Sequence, residues 1–181
     1  MNKIKCVSGF LKYLFQLLFI AIPILQIIGW IAAPEPLAFF EHIFKFTVIP
    51  GNYEILHPLT IHERFAGFGL GMVPTAIELF LLYYLIKLFQ SFQRNDIFSI
   101  SNVTYIRNIG YALFAEQFFY PFYQGLMGVI VTMNNPSGHR YASVTFTQVN
   151  LGILLTALMV ILISWIMAEG YRLREEQLLT V

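Results

Sequence analysis

Four long apolar stretches constrain this chain more than anything else in it. The first runs from Tyr13 to Ala33, with no charge between Lys12 and Glu35. The second lies between Arg64 and Lys87, the third between Arg107 and about Met133, and the fourth runs from about Val149 to Ala168. About 20 apolar residues in a helix cross the hydrocarbon core of a bilayer. In lipid a backbone must satisfy its own amides and carbonyls, so an apolar run that crosses alone does so as an α-helix. Charged residues make up only 12% of the chain, against about 25% in a soluble domain. A soluble protein of 181 residues could not cover its surface with so few. The expected fold is therefore an all-α integral membrane protein: one domain, residues 1–181, built as an antiparallel bundle of four transmembrane helices. The spans are expected at about 13–33, 65–87, 107–133 and 149–168. An outer loop covers 34–64, an inner loop 88–106 and a tail 169–181.

A cleaved signal peptide is the rival reading of the first stretch. Its apolar core would be too long, and Pro34 follows the small pair Ala32-Ala33. Orientation follows from the cations of the short loops. With the N-terminus inside, Lys3, Lys5, Lys12, Lys87, Arg94, Arg107, Arg172 and Arg174 lie on the inner side, eight of the eleven Lys and Arg. An even number of spans puts the C-terminus inside as well. The expected location is a bacterial inner membrane, with both termini cytoplasmic and the lipid bilayer as the main partner. A net charge of +1 gives no broad basic field for nucleic acid. The single cysteine, Cys6, allows no internal disulfide.

The loops carry local signals. Thr60-Ile-His-Glu63 matches a capping box at the start of the second span, and Thr145-Phe-Thr-Gln148 a second box before the fourth. Leu37 to Val48 has the character of a short helix lying on the membrane surface. Pro50-Gly51-Asn52 and Asn134 to Gly138 read as turns.

Two carboxylates fall inside spans. Glu78 is nine residues before Lys87, and Glu116 nine residues after Arg107. At 1.5 Å per residue each lies roughly 13–14 Å from the inner boundary, so the two could stand side by side. A lone charge at mid-membrane costs about 2.5–3.5 kcal/mol on insertion scales. Two adjacent carboxylates would not both ionise. One reading is a proton- or cation-responsive site. The duller one is a protonated Glu bonded to another helix as packing glue, with Gln117, Gln124, Tyr120, Tyr123 or Thr156 as partner. Pro23, Pro74 and Pro121 interrupt spans and should kink them, a pattern common in membrane helices with or without transport.

Gly67-Phe-Gly-Leu-Gly71 contains a GxxxG step, which permits close helix contact. Packing within one chain is favoured over an oligomer made through Gly67 and Gly71. The four histidines, His42, His57, His62 and His139, all fall in outer loops. His57, His62 and Glu63 match no standard zinc spacing, so no metal is expected. Phe118, Phe119, Tyr120, Phe122 and Tyr123 crowd the third span and suit lipid-facing and interfacial positions. No cofactor motif and no Ser/His pair lies near a membrane face. The chain reads as non-enzymatic.

The inner side holds the most distinctive text. Arg94, Asp96 and Arg107 share it with Glu169, Arg172, Arg174, Glu175 and Glu176. Arg–carboxylate contacts between loop and tail would make either a structural clasp or a docking surface, and the tail charges should continue the fourth helix beyond the bilayer. Ser99 or Ser101 is placed to cap the third helix. Ile97, Phe98, Ser99, Asn102, Arg107, Ile109 and Gly110 form one segment. Glu169, Gly170, Leu173, Arg174, Glu175, Glu176, Leu179, Thr180 and Val181 form the other. In these two segments the chain resembles the small four-span bacterial membrane proteins of domain-of-unknown-function family 2975. The resemblance departs in the longer aromatic outer loop, Pro34 to Thr60. That family has no established reaction. The resemblance implies a cytoplasmic protein partner, such as a small helix-turn-helix regulator. A small proton- or cation-coupled transporter using Glu78 and Glu116 is the competing expectation.

Overall fold

Helices account for nearly all of the chain described by this computed structural model, which covers residues 2–33, 35–36, 39, 55–97, 99–144, 146 and 149–179. Helix α1 spans Asn2–Ile27 and runs into a π-helical turn, Ile28–Ala32. Then follow α2 (Ile61–Gln93), α3 (Ile100–Thr132) and α4 (Leu151–Leu179). No strand occurs among the described residues. The surface helix expected within Leu37–Val48 and the turn at Pro50–Asn52 fall largely outside those residues. So do both ends of the Thr145–Gln148 box and the closing Thr180-Val181 of the tail.

Helices α1, α2 and α4 are long and apolar enough to cross a membrane. Helix α2 has 33 residues, about 50 Å at 1.5 Å per residue, against a hydrocarbon core of about 30 Å. On α4, Leu155, Met159 and Ile166 are each more than 60% exposed. Water would penalise such a surface and lipid accepts it. Helix α3 is as long but more polar. It buries that polarity against protein: Asn102, Gln117, Gln124 and Thr132 are all buried.

The helix ends follow capping chemistry. Thr60 and Glu63 form the expected box: the Thr60 amide donates to Glu63 Oε2 at 2.7 Å, and the Glu63 amide to Thr60 Oγ1 at 3.4 Å. Asn95, at φ 61°, ends α2 in the left-handed region, which asparagine tolerates better than most residues. Ser99 is the cap of α3, with its Oγ 3.4 Å from the Asn102 amide. Asn150 caps α4, where its Oδ1 accepts from the amides of Gly152 at 2.9 Å and Ile153 at 3.2 Å. Pro23, Pro74 and Pro121 lie inside α1, α2 and α3.

The chain divides into two compact units. Unit 1 takes residues 1–20, 77–117 and 150–181. There α3 crosses α4 at Gly110, where a Cβ would lie 2.6 Å from Ile161 Cγ1 and 3.2 Å from the Ala157 carbonyl oxygen. Lys12 of α1 donates to Gln93 Oε1 of α2 at 3.0 Å, and Phe15 packs on Phe89.

Unit 2 takes residues 21–76 and 118–149. Its core is Trp30, Tyr123, Met127 and Val131. The π-helical turn closes on a bond from the Ala33 amide to the Ile28 carbonyl at 2.9 Å. Such a widened turn re-aims its side chains, and here Trp30 is fully buried. Its ring fills the notch above Gly67, where any Cβ would collide with it, and its Nε1 lies 3.3 Å from the Cβ position of Gly71. The GxxxG step thus serves packing within the chain.

Candidate functional site

Three groups of polar residues stand out, two in unit 1 and one in unit 2. The first is the carboxylate pair. Glu78 and Glu116 are each half-buried and both belong to unit 1. Several partners proposed for them are engaged elsewhere. Gln117 Oε1 accepts from the Asn150 amide at 2.9 Å, and Thr156 Oγ1 donates to the Gly152 carbonyl on its own helix at 2.7 Å. Tyr120 and Tyr123 lie in unit 2, where their rings meet at 6.5 Å.

The second group is the loop between α2 and α3 with the end of α4. The loop is held by two side chains that sit on helices. Ser91 Oγ donates to the Asp96 carbonyl at 2.8 Å. Asn102, fully buried, donates through Nδ2 to the carbonyls of Asp96 at 2.6 Å and Ile97 at 3.0 Å. Arg94 and Asp96 are exposed beside this clip, and Arg107 is half-buried on α3. Beyond residue 168, α4 continues as helix to Leu179, so the charged tail prolongs the fourth helix as expected.

The tail's ion pairs run along its own helix. Arg172 meets Glu176 at 3.1 Å and Glu169 at 3.9 Å, and Tyr171 donates to Glu175 at 2.7 Å. These contacts are solvent-exposed and contribute little to stability. Loop and tail also meet around a cavity of about 260 Å³, lined by Ser99, Val103, Met167, Gly170, Tyr171 and Arg174. Val103, Met167 and Gly170 give it an apolar wall, with Ser99, Tyr171 and Arg174 supplying its polar groups. Both distinctive segments of the sequence thus contribute to one hollow.

The third group belongs to unit 2; the sequence marked its capping box, the turn at Asn134 and the cluster of His57, His62 and Glu63, but not the contacts that join them. Glu63 is fully buried. Besides the Thr60 amide it accepts from Thr60 Oγ1 at 2.8 Å and from Asn134 Nδ2 at 2.9 Å. Asn135, also buried, accepts from the Leu56 amide at 3.3 Å and donates to the His139 carbonyl at 2.9 Å. Arg64 donates to the carbonyls of Ala33 and Leu59. The tract after α3 folds back, with the Tyr141 amide on Thr132 Oγ1 at 3.0 Å. Among the described residues no group of three or more His, Cys, Asp or Glu could hold a metal ion.

Among the described residues, three of the four long helices are long and apolar enough to cross a bilayer and carry exposed aliphatic side chains, as a membrane protein would. Its family is also shown: the family described as "Protein of unknown function (DUF2975)" matches residues 52–181, and the chain belongs to it. The match takes in both distinctive segments and begins near the end of the aromatic loop where the resemblance departs. No curated protein and no solved structure matches the chain.

Proposed function

We propose that this chain is a non-enzymatic, four-span protein of the bacterial inner membrane, an antiparallel bundle with both termini in the cytoplasm. It acts by engaging a cytoplasmic protein through its inner face. The observation that carries this reading is the cavity where Ser99 and Val103 meet Gly170, Tyr171 and Arg174. Residues from the two most distinctive segments of the sequence line that one hollow. Arg172 pairs within its own helix, while Arg174 lines the hollow and offers a cation to a partner there. The greater polarity of α3 does not bar it from spanning, because its buried amides face protein.

A photo-crosslinking residue in place of Tyr171, installed in the full-length protein in cells, tests this. The expected result is one cytoplasmic protein adduct that weakens with Arg107→Ala or Glu176→Ala. Adducts to lipid alone, or the same adducts from a probe at Tyr141, overturn it.

A second reading rests on two half-buried carboxylates in one compact unit, Glu78 and Glu116: a small proton- or cation-coupled transporter. A pair of carboxylates at membrane depth is costly unless it binds a proton or cation. In liposomes this reading expects flux that Glu78→Gln or Glu116→Gln abolishes while folding is retained. Wild-type protein without flux removes it.

A further inference from the structure

The buried carboxylate of unit 2 lies next to a histidine whose hydrogen bonding is incomplete. His57 Nε2 stands 3.9 Å from Glu63 Oε1, with its side chain 23% exposed. The other ring nitrogen, Nδ1, lies 3.0 Å from the Pro58 carbonyl oxygen. A carbonyl only accepts, so Nδ1 is the nitrogen that carries hydrogen in the neutral ring. Nε2 is then a bare lone pair turned toward a carboxylate, and that nitrogen is buried without a hydrogen-bond partner. Thr60 and Asn134 satisfy the hydrogen bonds of Glu63 but do not neutralise its charge, and a buried charge calls for a counter-charge. A single proton on Nε2 answers both needs: it makes the nitrogen a donor and the ring a cation.

We propose that His57 and Glu63 form a proton-operated latch. Protonation of His57 closes an ion pair onto Glu63. It ties residues 55–60 to the first turn of α2 and, through Asn134, to the turn after α3. Loss of that proton opens the pair and leaves the neutral hydrogen bonds to hold the cap.

The neighbouring elements bring other charged and titratable groups. Arg64 directs its guanidinium to the carbonyls of Ala33 and Leu59, and Arg140 donates to the Asn135 carbonyl at 2.8 Å. Glu35, His62 and His139 are exposed. Among the described residues, Glu63 is the carboxylate within 4 Å of the His57 ring. An ion pair that needs a protonated imidazole is present in acid and absent in base, so the latch strengthens as pH falls. In the topology proposed above it lies on the outer face, where ambient pH varies most.

Hydrogen exchange on the full-length protein in nanodiscs tests the latch. The Leu56 amide reports on it, since that amide bonds Asn135 beside Asn134. After correction for intrinsic exchange, its protection at pH 5.5 should exceed that at pH 8 by about fivefold. His57→Asn and Glu63→Gln should each flatten this difference, and His62→Asn should keep it. Should Glu63→Gln fail to fold, His57→Asn decides alone. A wild-type protein with equal protection at both pH values, or a His57→Asn protein that retains the wild-type difference, overturns the proposal.

Discussion

A methyl group at Gly110 would have to share space with Ile161 Cγ1 and two backbone atoms of α4, the Ala157 carbonyl oxygen and the Ile161 amide nitrogen, at 2.6–3.2 Å. Cγ1 of a β-branched residue in a helix is held in one preferred rotamer, and the backbone atoms cannot yield without moving a helix. Gly110→Ala should therefore destabilise unit 1 by about 1–3 kcal/mol, the usual cost of overpacking a tight contact. Thermal unfolding in detergent measures this, and an unchanged melting temperature would show that the crossing is looser than described. Gly69 and Gly170 have open space at the Cβ position, so Gly69→Ala makes a matched control. Residues of this kind were legible in the sequence as a suspicion only. The GxxxG step at Gly67 announced close packing without naming Trp30 as its partner, and Gly110 stood out through its segment rather than through any spacing rule.

At the scale of elements, the loop between α2 and α3 illustrates how buried polarity organises a membrane protein's edge. Asn102 sits on α3 but spends its amide on two carbonyls of the preceding loop. Removing it leaves the Asp96 carbonyl to Ser91 Oγ alone and deprives the Ile97 carbonyl of that donor. Asn102→Ala should loosen residues 94–99, read as faster hydrogen exchange there, at a cost of about 0.6–1.7 kcal/mol. Exchange that stays at the wild-type rate would show that Ser91 suffices. The α4 start makes a second case. The sequence offered Thr145–Gln148 as a capping box, while Asn150 caps the helix through the amides of Gly152 and Ile153. Asn150→Ala should cost about 1 kcal/mol, seen as fraying of the first turn by the same exchange measurement. Capping motifs are short and recur by chance. Which one is used depends on where the helix is free to begin, and here the Asn150 amide is already held by Gln117.

For the whole molecule, the proposed topology makes a direct prediction. Reporters that are active only in the cytoplasm should work when fused after Val181 or within the loop near Asp96, and fail within the loop near Ser137. Activity at Ser137 would invert or break the four-span arrangement. The four apolar stretches read from the chain alone each fall largely within a long helix among the described residues. Twenty apolar residues have one way to satisfy their backbone in lipid, and that requirement is local to each segment. The same holds for the charge bias that sets orientation and for the Thr60–Glu63 box, which closes over three residues. What only the tertiary structure decided is which distant side chains share a space. Those pairings are Trp30 under Gly67, Asn134 on Glu63, His57 facing that carboxylate, and Ser99 with Arg174 around one cavity. Each depends on the rotation and crossing of helices about their axes. Near-uniform apolar surfaces leave that rotation undetermined by periodicity, and only packing settles it.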